Sequence, residues 1–170
     1  MNGVAQERDI RRSPKRVCGF PGHLRVRNAS AEEMRGFARL FADTDRSGWV
    51  TETIATGRAQ ALVVERFTER SWVPLAWTVT AADGETALAL RSEEYGKGLA
   101  HEALRAAIRV LRDEPFAALT ACVVQGDVKV AKVFERAGFS PEGTCRFRGL
   151  LTVKYVRNLR GDCTPYNVWI

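Results

Sequence analysis

Tyr95-Gly96-Lys97-Gly98-Leu99-Ala100 sets two glycines and a lysine directly ahead of a long helical stripe. Glycine lets the backbone turn tightly and approach a ligand with no Cβ in the way. A helix start adds unpaired N–H groups and the positive end of the helix dipole, so a phosphate or pyrophosphate fits there. Lys97 adds a point charge. Two better-known loops share part of this pattern. A dinucleotide fingerprint needs G-x-G-x-x-G, but His101 stands at the third glycine position, and the preceding strands read as antiparallel. A P-loop needs G-x-x-x-x-G-K-[ST], which is absent. The remaining alternative is a loop whose glycines only pack.

Other residues with chemical capacity are scattered. Cys18, Cys122, Cys145 and Cys163 form no C-x-x-C pair, and only His23 and His101 could join them as ligands. Metal sites need clustered donors, so no metal is expected and the thiols read as reduced. Asp43-Thr44-Asp45-Arg46-Ser47-Gly48-Trp49-Val50 imitates the start of a calcium loop, but the twelfth position, which should carry a bidentate Glu, is Ile54. A helix end followed by an Asp/Gly turn is the reading preferred.

Positioning these residues falls to a recognisable run of elements. Leu24 and Val26 alternate with arginines as a short strand. Ser30 and Glu33 form a capping box ahead of Met34, Phe37, Ala38 and Phe41, the stripe of a packed helix. A weaker helical segment runs near Val50 to Arg58. Residues 59–91 read as an antiparallel meander, with Ala82-Asp83-Gly84 as a turn. Beyond it, Thr86, Leu88 and Leu90 face one way and Ala87 and Ala89 the other. The lean alanine face leaves either room beside the strand or a helix packed close on it. Leu99 to Leu111 is the clearest helix, with Glu102 near its start and Arg105, Arg109 and Arg112 toward its end, as the dipole favours. A buried strand over 116–124, a helix over Lys129 to Ala137 stopped by Gly138, and strands over Gly143 to Val153 and Tyr166 to Ile170 complete the chain. The pattern is α/β (α+β): one domain over residues 23–170, behind an irregular arm over residues 1–22.

The 170 residues suit a single core, and no run is apolar enough to span a membrane. The leading residues lack an apolar stretch, so they are not read as a secretory signal, and the chain is expected in the cytoplasm. Most of the net charge of +6 comes from Arg8, Arg11, Arg12, Lys15, Arg16, Arg25 and Arg27, opposed there only by Glu7 and Asp9. Residues 8–27 are thus the segment that RNA or an acidic partner would meet, unless they are simply solvated.

The segment Arg91-Ser92-Glu93-Glu94-Tyr95-Gly96-Lys97-Gly98-Leu99-Ala100-His101 resembles the cofactor-binding motif of the GNAT N-acetyltransferases, in particular the branch that holds the ribosomal-protein N-terminal acetyltransferases. Asp127, Val130, Val133, Glu135, Gly138-Phe139 and Glu142-Gly143 resemble that branch's second motif in spacing. Residues 24–33 are similar to its opening strand and helix. The resemblance implies a mostly antiparallel sheet of six to seven strands, flanked by about four helices, with splayed middle strands.

It further implies acetyl-CoA as co-substrate and a primary amine as acceptor, on a protein N-terminus or a small molecule. Cofactor-binding positions would be Leu88, Ala89, Leu90, Tyr95, Gly96, Lys97, Gly98, Leu99, Ala100, Asp127 and Lys132. Attack by an amine needs a proton acceptor and a donor for the leaving thiolate. Glu85, Glu93 and Glu94 are candidate bases, and Asp127 stands where relatives have asparagine. The serine and tyrosine common in the family are here Val130 and Phe134. Proton delivery then falls to Asp127, Tyr155, Tyr166 or water, and the catalytic set read from the chain is Glu85, Glu94, Asp127 and Tyr166. The alternative is a GNAT-like module with little turnover that binds acyl-CoA or docks RNA. A homodimer is compatible with either.

Overall fold

Ser30 opens the first helix as its spacing predicts. In the computed structural model, which describes residues 24–41 and 46–160, the Ser30 hydroxyl accepts from the Glu33 amide at 3.1 Å. The Glu33 carboxylate accepts from the Ser30 amide at 2.8 Å. α1 (Ala31–Leu40) follows, then α2 (Ser47–Ala55). The N-terminal arm, Asp43, Asp45, Tyr166 and the strand expected over Tyr166 to Ile170 lie outside the described residues. The second helix starts at Ser47, earlier than expected, so the residues that imitated a calcium loop from Ser47 onward are helical.

Among the described residues, seven strands form two antiparallel sheets. β1 (Leu24–Asn28), β2 (Gln60–Thr68), β3 (Ser71–Thr80) and β4 (Thr86–Leu90) lie in the order β1-β2-β3-β4. β5 (Ala118–Val124), β6 (Ser140–Phe147) and β7 (Leu150–Asn158) lie in the order β5-β7-β6. The expected single strand from Gly143 to Val153 is therefore a hairpin. Its turn is Arg148-Gly149, both with positive φ (49° and 85°), a conformation that glycine tolerates and arginine seldom adopts.

α3 (Ala100–Leu111) and α4 (Val128–Arg136) follow β4 and β5. α3 buries Leu104, Ile108 and Leu111 almost completely, each worth roughly 1.5–3 kcal/mol of apolar burial. With Leu62 and Val64 of β2, and Leu119, Ala121 and Val123 of β5, these residues make the larger core. The opposite face of the first sheet has a core of its own. There Ala61, Val63, Val79, Ala87 and Ala89 meet Phe37, Phe41 and Val50 of α1, its C-cap and α2. The lean alanine face thus admits close-packed helices.

Candidate active site

β4 and β5 touch at one rung and then part. The Thr120 amide donates to the Gly84 carbonyl at 2.9 Å, and Glu85 and Thr120 form an isolated parallel bridge. Gly84 makes this approach feasible: its φ is +92°, and a Cβ there would press into the Ala118 carbonyl oxygen. β5 pairs with β7 along its whole length, from Ala118 to Val124, and past the rung it follows the twist of the second sheet away from β4. On β4 the Glu85 carbonyl accepts from Ala81 at 2.8 Å, and the Arg91 amide donates to Leu75 at 2.9 Å, both toward β3. By strand alternation the backbone groups of Thr86, Leu88 and Leu90 point the other way, into the gap. The gap is a cleft of about 230 Å³, walled by Thr86, Ala87 and Leu88 on one side and by Cys122, Val123, Val124, Asp127, Val130 and Phe134 on the other.

The glycine loop stands at the end of β4. A short turn, Ser92–Glu94, brings Glu94 beneath it, where the buried carboxylate pairs with Arg66 of β2 at 2.8 Å and with Lys97 at 3.3 Å. Gly96 and Gly98 have φ of +76° and +73°, and space is open where their Cβ atoms would stand. The amides of Gly96, Gly98, Leu99 and Ala100 meet no acceptor among the described residues. Several unpaired donors at the start of a long helix, with open space in front, fit an anion.

These features also define what the chain resembles. The family model described as the acetyltransferase (GNAT) domain matches residues 5–140. The chain belongs to the GNAT acetyltransferase family. No curated protein sequence matches it. Solved GNAT structures share its fold at low identity. The aminoglycoside acetyltransferase AAC(6')-Ib, in complex with coenzyme A, aligns at 14% identity and TM-score 0.60 over 79% of this chain and 94% of that one. A ribosomal-protein-S5-alanine acetyltransferase from Vibrio fischeri aligns at 17% and 0.61 over 84% and 97%. A spermidine N-acetyltransferase SpeG chimera from Vibrio cholerae and hSSAT aligns at 14% and 0.62 over 81% and 96%.

In this GNAT domain the expected site residues fall into four groups. Leu88, Leu90, the loop from Tyr95 to Ala100 and Asp127 border the cleft or the loop end of β4. Asp127 is exposed and caps α4, accepting from the Val130 amide at 3.1 Å. Ala89 pairs with Trp77, and its methyl belongs to the second core. Lys132 instead lines an adjoining groove of about 290 Å³ between α4 and β7, with Glu135 and Tyr155, which shares Val123, Val124 and Asp127 with the cleft. The Tyr155 hydroxyl donates to Glu135 at 3.3 Å there, and burial, then the Glu135 charge, pushes its pKa up. Glu93 sits in solvent, its carboxyl drawn below the usual range by its own backbone amide, then by Ser92 and Arg91.

Glu85 has a partner that the sequence does not reveal. Arg46 Nη1 lies 2.7 Å from Glu85 Oε1, and its other terminal nitrogen donates to the Cys122 carbonyl. The guanidinium stands 4.1 Å from the centroid of Phe147 and 5.7 Å from that of Trp49. The Cys122 and Cys145 sulfurs are 3.9 Å apart beside it, and burial, then the Glu85 charge, pushes the Cys122 thiol up and keeps it protonated. The hairpin tip closes over this region, with Arg148 pairing to Glu52 of α2 at 2.7 Å. The meeting of Arg46, Cys122 and Phe147 was not visible in the sequence because 39 residues separate Arg46 from Glu85, and 76 separate it from Cys122.

Proposed function

We propose that this GNAT chain transfers an acetyl group from acetyl-CoA to a primary amine, by direct attack with both substrates bound. The observation that carries the proposal is the succession of two unpaired backbone surfaces along the chain: the edge of β4, which walls the cleft at Thr86 to Leu88, and the amides of the glycine loop that follows it. Acetyl-CoA supplies the activated acyl group as a thioester. Gly96, Gly98, Leu99 and Ala100 would hold its pyrophosphate through their amides, and the edge of β4 at Leu88 and Leu90 would align the arm. An N–H from that edge, fixed before reaction, stabilises charge on an acyl oxygen without reorganisation. Glu94 steadies the loop by joining Lys97 to Arg66 and takes a catalytic role only through that loop.

Asp127 lines the cleft and is the carboxylate assigned to accept the amine proton, directly or through water, while Glu85 is held in its pair with Arg46. Val130 and Phe134 give the α4 wall no hydroxyl, so the leaving group takes its proton from Asp127, Tyr166 or water. Positioning supplies most of the rate in such a reaction. The same apolar wall favours the second reading, a domain that binds acyl-CoA with little turnover. Residues 8–27 would serve an RNA or acidic partner in that case, and deleting residues 1–22 would leave a small-molecule rate intact on the first reading.

Thermal unfolding with and without acetyl-CoA tests the assignment. A ligand that binds only the folded state raises the melting temperature. The expected result is a clear rise, abolished in a folded Gly98→Trp variant, and release of free thiol with some member of a primary-amine panel. No rise at saturating acetyl-CoA overturns the reading; a rise without thiol release from any amine favours the module.

A further inference from the structure

The seat of Arg46 has the composition of a cation-binding site. One carboxylate (Glu85), one backbone carbonyl (Cys122) and two aromatic rings (Phe147 and Trp49) surround its guanidinium. A ring face, a carboxylate and a carbonyl each attract a positive group, and more strongly when water is thinned out. Both partners are mostly withdrawn from solvent, with 13% of the Arg46 side chain and 18% of the Glu85 side chain exposed. The seat is not remote from the chemistry: Arg46 and Cys122 both wall the β4–β5 cleft. It lies with α2 and the β6–β7 hairpin, across the first sheet from α3, the helix that the glycine loop leads into.

An alkylamine is an ammonium at neutral pH. It would therefore be drawn to the same carboxylate and rings that now hold Arg46. Removal of Arg46 alone would leave Glu85 as an uncompensated, half-buried charge, which is costly. Exchange of one cation for another avoids that cost and leaves the charge of the site unchanged.

Resting on the acetyltransferase reading above, we propose that Arg46 is a built-in surrogate for part of the acceptor. It holds the cation seat closed until an incoming ammonium displaces it. Because the amine that attacks must be neutral while the seat takes a charge, the acceptor carries at least two basic nitrogens, one seated against Glu85 and the rings and one presented to the cleft. Arg46 then sets specificity: a second basic nitrogen gains the seat by displacing it, whereas a monoamine makes no use of the seat and gains nothing.

The decisive experiment uses the full chain with putrescine, butylamine and methylguanidinium as probes. Vacating the seat with Arg46→Ala should lower the KM for putrescine about tenfold, because the resident competitor no longer holds most molecules closed. The KM for butylamine should hardly move. Methylguanidinium should raise the melting temperature of Arg46→Ala by about 2 °C or more over sodium chloride of equal ionic strength. It should not raise that of the parent chain or of Arg46→Ala combined with Glu85→Gln. In the parent chain, putrescine should increase the rate at which phenylglyoxal modifies Arg46, read by peptide mass, which needs no variant to fold. An unchanged or slower modification of Arg46, or a vacated seat blind to methylguanidinium, overturns the proposal and makes Arg46 a fixed staple. The acetyl-CoA stabilisation of the parent chain reports separately on the acetyltransferase reading, because it does not involve the seat.

Discussion

The Thr120 amide donates to the Gly84 carbonyl at 2.9 Å, and this hydrogen bond holds β5 to the turn that leads into β4 at the closed end of the cleft. Gly84→Ala places a methyl against the Ala118 carbonyl at a φ of +92°. A loss of at least about 2 kcal/mol is expected from strain and overlap together. Urea unfolding measures it, and a loss below half that figure would show that β5 shifts freely.

Asp127 has two separable duties, a helix cap and a carboxylate at the cleft. Asp127→Ala should cost about 1 kcal/mol through the lost cap, and Asp127→Ser should restore most of that stability. If the carboxylate moves a proton, Asp127→Ser keeps a depressed kcat despite its recovered stability. Recovery of both in parallel would reduce Asp127 to a cap.

Tyr155 is a tempting proton donor from its sequence position, yet its hydroxyl bonds Glu135 in the neighbouring groove. Tyr155→Phe should therefore leave kcat within about twofold and alter stability by roughly 1 kcal/mol, the usual worth of one hydrogen bond. A drop of two orders of magnitude in kcat would return Tyr155 to the mechanism.

Glu33 links the cap of α1 to Arg27, which forks onto it at 2.7 and 2.8 Å. That pairing first, together with the Ser30 amide, lowers its pKa from an ordinary 4.5 to about 2. A carboxyl with a depressed folded pKa stabilises fully above its unfolded value and loses that contribution as pH falls through the folded one. Stability should therefore decline between pH 4.5 and about 2. Glu33→Gln should flatten part of that decline and cost about 1 kcal/mol at neutral pH, a figure discounted for solvent screening. Acid titration of the two proteins by circular dichroism tests this.

Legibility in the sequence followed the range of the interaction. The capping box at Ser30 and Glu33, the stripe of α3 and the glycine loop are local patterns, and each lies where spacing predicts. The β6–β7 hairpin was hidden because Arg148 adopts positive φ without the usual Asn-Gly or Asp-Gly signal. The alanines of β4 left two explanations open, and only the packing of Phe37, Phe41 and Val50 on them decides for close helices. Arg46 sat inside a stretch that imitated a calcium loop, and its role depends on partners from β4, β5 and the hairpin. No periodicity encodes such a meeting.

The two apolar cores on opposite faces of the first sheet make the molecule modular to mutation. One core carries α3, whose first turn takes over from the glycine loop; the other carries α1 and α2, which bring Trp49 beside Arg46. Changes in Phe37, Phe41 or Val50 can alter the second face while the first keeps its packing, since the two cores share no side chain. On the proposed function, drift in the acceptor seat is thereby uncoupled from drift in the cofactor loop.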